Sequence, residues 1–185
     1  MSGWRKRILG AALALAIAGA VPGARAQIDP PTIIVVDFQG IVRDSAAAKS
    51  IQAQIDELRA TYQEEFGDIE EQLRAAESEL AEARNTLSDE EFLQRRRQFE
   101  RRVTEAQRTA QVRRAALDQA YEEAMDKVRS TLIEVLAQIA QEQEANLILS
   151  RSQVVLADRE LDVTETARTR LDQRLPEVTV QMPEE

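Results

Sequence analysis

The side chains of this chain that could do chemistry are its carboxylates and its guanidinium groups. Its 185 residues include 33 Asp and Glu and 24 Lys and Arg, but no His and no Cys. That composition excludes a Cys/His metal site, a thiol nucleophile and a His-based catalytic triad. Nearly all carboxylate pairs fall on predicted exposed helix faces, where nothing would shift their pKa values. We therefore expect no enzyme activity, no catalytic residue, no metal and no cofactor.

An arginine cluster is the other chemically distinctive group, and its members are Arg95, Arg96, Arg97, Arg101 and Arg102. Residues 94–114 carry eight arginines against two glutamates, whereas residues 45–87 carry four basic residues against ten acidic ones. If the chain folds back between these regions, the acidic arm and the basic arm would pair antiparallel, for example Glu77 and Glu79 with the first arginines. The alternative interpretation is that the arginines contact acidic partners, lipid head groups or a membrane.

Helical periodicity dominates the region that carries these charges. Between residues 45 and 145 the sequence has no Pro and a single Gly, and apolar residues recur every three or four positions in two stripes. Ser88, followed three residues later by Glu91, is the signature of a capping box, so one helix ends and another begins here. We expect an antiparallel helical hairpin over residues 45–145, with its turn near residues 85–88, rather than one continuous rod.

Four apolar side chains near this turn could contact another molecule: Leu87, Phe92, Leu93 and Phe99. Ordinary packing between the two helices is the alternative interpretation for each of them. The spacing of the second stripe favours packing for Phe99. Leu93 follows directly after the stripe residue Phe92, so its spacing favours exposure, and both interpretations stay open for it.

Runs of β-branched residues flank the helical region. Residues 32–38, 146–150 and 154–158 predict three buried strands. Thr164 is predicted to cap a short helix that ends near Leu175, before Pro176.

These strands define a small body made of residues 27–44 and 146–175, with residues 176–185 as a frayed acidic tail. A body of that size would be marginally stable alone, and three strands would leave two unpaired edges. We therefore expect the strands to be shared between copies of the chain.

The first 26 residues have the features of a secretory signal peptide. Arg5, Lys6 and Arg7 precede an apolar run over residues 8–21, and a small-x-small site predicts cleavage after Ala26. The run has 14 residues, whereas a membrane-spanning helix needs about 20. Cleavage would leave 20 basic and 33 acidic residues, so the net charge changes from −9 to −13. A charge of that sign opposes binding to nucleic acid.

Taken in order, these features resemble the Skp/OmpH family of periplasmic outer-membrane-protein chaperones. Residues 34–45, which run from Ile-Val-Val-Asp to Asp-Ser, are similar to the family's opening strand and the start of its first helix. Residues 145–149 and the pair Val154–Val155 are similar to its later strands. Residues 161–164, Leu-Asp-Val-Thr, are similar to the motif that caps its last helix.

The resemblance implies an α+β fold. A homotrimer would share a small β-barrel body, with a long antiparallel coiled-coil hairpin inserted between strands as a tentacle. It also implies a periplasmic, ATP-independent holdase that binds unfolded outer-membrane proteins in a cavity between the trimer arms and assists outer-membrane assembly. The four apolar side chains near the turn would then be client contacts, and the arginine cluster would be the basic patch.

One feature departs from that family, whose familiar members are strongly basic. In this acidic chain, transient contact with a membrane or with lipopolysaccharide would depend on the arginine cluster alone. The rival interpretation is a structural coiled-coil protein that tethers or spaces cell-envelope components and binds no client. The strands that flank the hairpin argue against it, because a rod needs no β-body.

Overall fold

The structure is a computed structural model and describes residues 30–183. The main elements in chain order are β1 (Ile33–Val36), α1 (Phe38–Asp44), α2 (Ala46–Ala83), α3 (Asp89–Glu142), β2 (Leu147–Ser150) and α4 (Thr164–Arg174). Two short 3₁₀ turns, Arg151–Gln153 and Arg159–Leu161, separate β2 from α4. The fold is mostly helical, with long helices and one small sheet. The predicted signal peptide and its cleavage site after Ala26 lie outside the described residues.

The sheet consists of β1 and β2, which pair in parallel with Ile33 opposite Leu147 and Val36 opposite Ser150. The third strand predicted over residues 154–158 is wrong, because these residues join no sheet in the described part of the chain. A strand needs the edge of a neighbouring strand, because its backbone N–H and C=O groups require hydrogen-bond partners. Instead, the N–H of Val163 donates to the carbonyl of Val35 at 2.9 Å. The segment just before α4 is therefore a second neighbour of β1, in addition to β2.

β1 ends at Val36, earlier than predicted, because Asp37 starts a helix. Its carboxylate accepts a hydrogen bond from the N–H of Gly40 at 2.9 Å and so caps α1. A Cβ atom at position 40 would collide with that carboxylate, so this helix start requires glycine there. The predicted strand over residues 32–38 is thus wrong at its end, where Phe38 is already helical.

The hydrophobic core lies where β1, α1 and α4 pack against the adjoining ends of α2 and α3. Its largest fully buried side chains include Ile41, Ile51, Leu132, Ile139 and Leu171. Ser45, which is also fully buried, caps α2 by accepting from the N–H of Ala48 at 3.2 Å. Several layers of elements meet in this core, and we call the described residues outside 56–119 the body.

Hydrogen bonds across the body join the segments that precede and follow the arm in the sequence. The N–H of Asp37 donates to the hydroxyl of Thr164 at 2.9 Å, and the N–H of Ala46 donates to the carboxylate of Asp172 at 2.8 Å. Thr164 was predicted as the N-cap of α4 but is its first helical residue. The capping hydrogen bond comes from Asp162, whose carboxylate accepts from the N–H of Thr164 at 2.9 Å.

Beyond the core, α2 and α3 continue as an antiparallel hairpin, which we call the arm (residues 56–119). Twenty-eight helical residues, from position 56 to the end of α2, extend about 42 Å at the rise of an α-helix. Of the arm's residues, all of which are described, only Ala83 is buried. The apolar stripe continues along the arm, but its side chains are half-buried, because two helices cannot enclose a core.

The segment predicted as a frayed tail instead packs against the start of the arm. Val178 is 5% exposed, and Val180 is partly buried against the core. The side chain of Gln54 holds both residues by hydrogen bonds to their backbone. Polar composition suggested fraying, but the alternation of apolar residues in this segment gives it one face that can be buried.

Candidate binding surfaces of the arm and the body

The tip of the arm is a turn that is fixed by a capping box. The hydroxyl of Ser88 accepts from the N–H of Glu91 at 3.4 Å, and the Glu91 carboxylate accepts from the N–H and hydroxyl of Ser88 at 3.2 and 2.7 Å. These hydrogen bonds from Ser88 lower the pKa of Glu91 below its ordinary value. The predicted capping box is confirmed, and it sets where α3 begins.

The four apolar residues predicted near the tip have different exposures. Leu93 is 44% exposed, whereas Leu87, Phe92 and Phe99 are half-buried. The guanidinium of Arg84 lies 5.8 Å from the centre of the Phe92 ring, a distance typical of a cation–π contact. Phe99 lines a cleft of about 340 Å³ between the two helices. No residue of this set is fully packed away.

The arginine cluster is exposed and does not form the predicted zipper. Arg96 pairs with Glu100 of its own helix at 2.8 Å. The other four arginines form no ion pair within 4.0 Å with any described residue, although Arg95 lies close enough to Glu91 to help lower its pKa. An exposed pair gains little once the entropy of two long side chains is counted. Glu79 and Arg95 line the same cleft, as the predicted antiparallel register requires. The predicted ion pairs of Glu77 and Glu79 with these arginines do not form among the described residues.

Arg113 is the one cation that joins the two helices of the arm by an ion pair among the described residues. It pairs with Glu65 and stacks over Tyr62 and Phe66, at 4.7 and 5.8 Å from the ring centres. The sequence interpretation did not single out this residue. The sequence offered one signal for it: Leu58, Tyr62 and Phe66 are spaced by four residues, which places both rings on one face of α2.

A chain of clefts follows the arm between its helices. Besides the cleft at Phe99, one of about 390 Å³ is lined by Ile69, Leu73 and Ala106. A third of about 250 Å³ lies beside Phe66 and Leu117. Apolar and charged side chains both line these clefts, so the arm offers several contact sites along its length.

The body presents a second exposed apolar surface, around β2 and the loop that follows it. Val155 and Leu156 are 105% and 91% exposed, and Leu147, Ile148 and Leu161 are also exposed. The loop borders a cleft of about 450 Å³. Because β2 pairs only with β1 among the described residues, its outer edge is open beside these side chains.

Asp162 lies at the edge of that surface and links it to α4. Burial raises the pKa of its carboxyl, but the hydrogen bonds from Thr164 and the charge of Arg151 outweigh this effect and hold the pKa below its ordinary value. Arg151 also forms an ion pair with Asp162. The loop between β2 and α4 is therefore tied down at its base, while Val155 and Leu156 remain exposed.

Two kinds of site are not found in the part of the chain that the structure describes. No group of three or more His, Cys, Asp or Glu side chains there could hold a metal ion. None of the helices there has an apolar stretch long enough to cross a membrane.

Comparisons with known proteins give a family match and a structural match. The profile of the outer membrane protein (OmpH-like) family matches residues 32–171. A crystal structure of a candidate outer membrane chaperone (OmpH-like) from Caulobacter crescentus CB15 is similar, with a TM-score of 0.77 and 20% sequence identity over 84% of this chain and 92% of that chain. Among curated proteins, none matches the sequence. At 20% identity the structural similarity shows a shared fold, whereas the profile match covers most of this chain.

Proposed function

This chain belongs to the OmpH-like family of outer membrane proteins, and from that premise we propose that it is an ATP-independent periplasmic holdase chaperone. It binds unfolded outer-membrane β-barrel proteins between the arms of a homotrimer and assists outer-membrane assembly. Each arm supplies the contacts, and each body supplies the strands that join three copies. Binding and release then require no catalysis and no cofactor.

The observation that carries the proposal is the apolar stripe of the arm. Apart from the buried Ala83, its side chains, such as Phe66, Leu73 and Phe99, are half-buried along the arm. An unfolded chain can bury these partly exposed surfaces further without unfolding the arm. Each contact is weak, but many contacts on three arms combine to give a high overall affinity. Such a surface tolerates different client sequences.

The exposed surface of the body supports the homotrimer. Contiguous apolar surface with an open strand edge commonly marks an interface between chains. Val155, Leu156, Leu147 and Ile148 provide such a surface beside β2. In the proposed trimer these residues pack between copies, and β1 and β2 of each copy contribute to a shared β-barrel body.

Charge is the second contribution to client binding. The mature chain carries a net charge of −13 if the signal peptide is removed, so long-range attraction does not draw acidic clients to the whole surface. The exposed arginine cluster is a local exception at the end of the arm. We assign it the contact with acidic client segments, and we expect only weak, salt-sensitive contact with lipopolysaccharide or a membrane.

The test is a precipitation assay with an unfolded porin-type β-barrel protein diluted out of denaturant. Mature protein at one trimer per porin should keep the porin soluble. The variant Leu93→Asp should weaken this effect, because it places a charge among the apolar contacts of the tip. Ile133→Asp is the matched control, since Ile133 is an exposed apolar residue of the same helix but lies in the body.

Two results would contradict the proposal. If the porin precipitates equally fast with and without the mature protein, the chain is a tether and not a holdase. If Leu93→Asp and Ile133→Asp weaken protection equally, the tip is not a preferred contact.

A further inference from the structure

Residues 177–183 lie as an extended segment against the arm. Val178 is buried and Val180 and Met182 are half-buried, whereas Thr179 and Gln181 between them are exposed. This period of two is the pattern of a strand with one face on an apolar surface. The segment is the last described part of the chain, and it lies on α2 and α3 without joining a sheet.

Gln54 of α2 binds this segment through its backbone. Its side-chain amide donates to the carbonyl of Val178 at 2.7 Å, and its side-chain oxygen accepts from the N–H of Val180 at 3.0 Å. A peptide group of a neighbouring strand would offer the same donor and acceptor. The amide also donates to the hydroxyl of Ser50 at 3.1 Å, which fixes its orientation. Gln54 therefore recognises an extended backbone regardless of its side chains.

The rest of the segment occupies a groove that continues along the arm. Met182 and Pro183 line a cleft of about 370 Å³ together with Tyr62, Val112 and Ala116, so this end of the segment lies between α2 and α3. Positions 54 and 62 are separated by about 12 Å along the helix. Positions 178 and 182 are separated by about 13 Å in an extended chain. The matching lengths indicate that the segment runs beside α2 toward the tip.

We propose that this groove is a binding site for an extended client segment of alternating apolar and polar residues, and that residues 177–183 occupy it as an internal competitor. The inference rests on the proposed holdase function, and it names one client site and the element that regulates it. Membrane β-barrel strands have this alternation. Their backbone would take the hydrogen bonds of Gln54, and their apolar side chains would replace Val178, Val180 and Met182.

The short connection between α4 and the segment explains why the competitor is effective. A tethered segment acts at an effective concentration in the millimolar range. A client that offers one strand would lose this competition, whereas an unfolded barrel offers many strands. The groove therefore selects long unfolded β-barrel chains over single extended peptides.

The test measures binding of a fluorescent peptide of alternating valine and threonine to the full mature chain. Val180→Asp should loosen the internal segment and leave the groove intact. If the segment fills about nine grooves in ten, this variant should bind the peptide about tenfold more tightly. Thr179→Asp is the matched control, because it adds the same charge at an exposed position of the same segment.

A crosslink provides the opposite change. The chain has no cysteine, so a short bismaleimide joins only the thiols introduced by Ala116→Cys and Met182→Cys, which line the same cleft. The crosslinked protein should lose peptide binding, whereas the same double variant without the crosslinker should retain it.

The proposal is overturned if the crosslinked protein binds the peptide as well as the uncrosslinked one, or if Val180→Asp and Thr179→Asp bind it equally. It is also overturned if none of the variants binds the peptide. The porin assay separates this result from the proposed function. Porin protection that is unchanged by the crosslink would leave the holdase function standing without this site. If the unmodified chain and every variant fail to protect the porin while peptide binding changes as expected, the groove stands as a peptide site and the holdase function fails.

Discussion

The body and the arm are built on the same two helices, yet they bury them to different degrees. In the body, Ile51, Leu132 and Ile139 are at most 1% exposed. In the arm, the same stripe is half-buried, and only Ala83 is buried. The sequence period does not change between the regions; what changes is the number of elements that pack on it. An apolar stripe is a core only where a further layer covers it.

The difference implies unequal local stability. Regions with few buried contacts open at lower free energy than the core. The body should therefore unfold only globally, while the arm can bend or separate locally around a client.

The largest difference should appear between two leucine truncations. Leu132→Ala removes a fully buried side chain of the body and should lower the free energy of unfolding by about 2–5 kcal/mol. Leu73→Ala removes a half-buried side chain of the arm and should cost about 1 kcal/mol or less. Urea unfolding at one fixed protein concentration measures both values, because oligomer stability depends on concentration. Equal costs would mean that the arm is packed as tightly as the body.

Loss of a helix cap should have different consequences in the two regions. Asp37→Ala removes the cap of α1 in the body, and Ser88→Ala removes the cap of α3 at the tip. Each cap contributes about 1 kcal/mol. We expect the first loss to lower the global stability and the second to increase amide hydrogen exchange only near residues 89–92. Slowed exchange at the tip, or global destabilisation by Ser88→Ala, would contradict the contrast.

The described residues show how far the sequence interpretation could reach. The capping box at Ser88 was predictable because its signal is local. The start of α1 at Phe38 was missed because the apolar run before it predicts a strand, although Asp37 and Gly40 carry the capping signal of the helix. The prediction of a third strand was wrong because a strand depends on a neighbouring strand edge, and the sequence alone does not show which edge is available.

Two other features depended on tertiary structure. The zipper failed because complementary charges on facing helices need not come within pairing distance. The internal segment was missed because its polar residues hid the alternation of Val178, Val180 and Met182. For the candidate contacts, spacing predicted packing for Phe99 and exposure for Leu93, and Leu93 is 44% exposed.

Acid should weaken the body through its paired carboxylates. A hydrogen bond from Arg170 lowers the pKa of Glu142, and one from Arg43 lowers the pKa of Asp44. A carboxyl with a lowered folded-state pKa stabilises the fold above its unfolded pKa, about 4. That contribution is lost as the pH falls through the folded-state value. The unfolding free energy should therefore be flat from neutral pH down to about 5 and then fall.

Arg170→Gln provides the control for this pH dependence. It removes the partner of Glu142, with which it forms two hydrogen bonds of 2.7 Å. The fall of the unfolding free energy below about pH 5 should become shallower in this variant. An unchanged pH profile would show that this pair does not contribute to acid sensitivity.

The smallest effect should come from the arginines at the end of the arm. The double variant Arg97→Gln and Arg101→Gln should reduce affinity for an acidic unfolded client by about two- to threefold at low salt, since exposed charges interact weakly. The difference should vanish at high salt. Arg129→Gln is the control, because Arg129 lies in the body and pairs with Glu122 and Asp126. Equal losses from both variants would remove the special role of the arginine cluster.

The division of labour between arm and body can be tested most directly by photo-crosslinking in the presence of an unfolded porin. A photoreactive residue is placed either at Leu93 in the arm or at Val155 in the body, both of which are exposed in the single chain. We predict that Leu93 forms adducts with the porin, and that Val155 forms adducts with another copy of the chain. Porin adducts that form equally from both positions, or only from Val155, would contradict the assignment of client binding to the arm and assembly to the body.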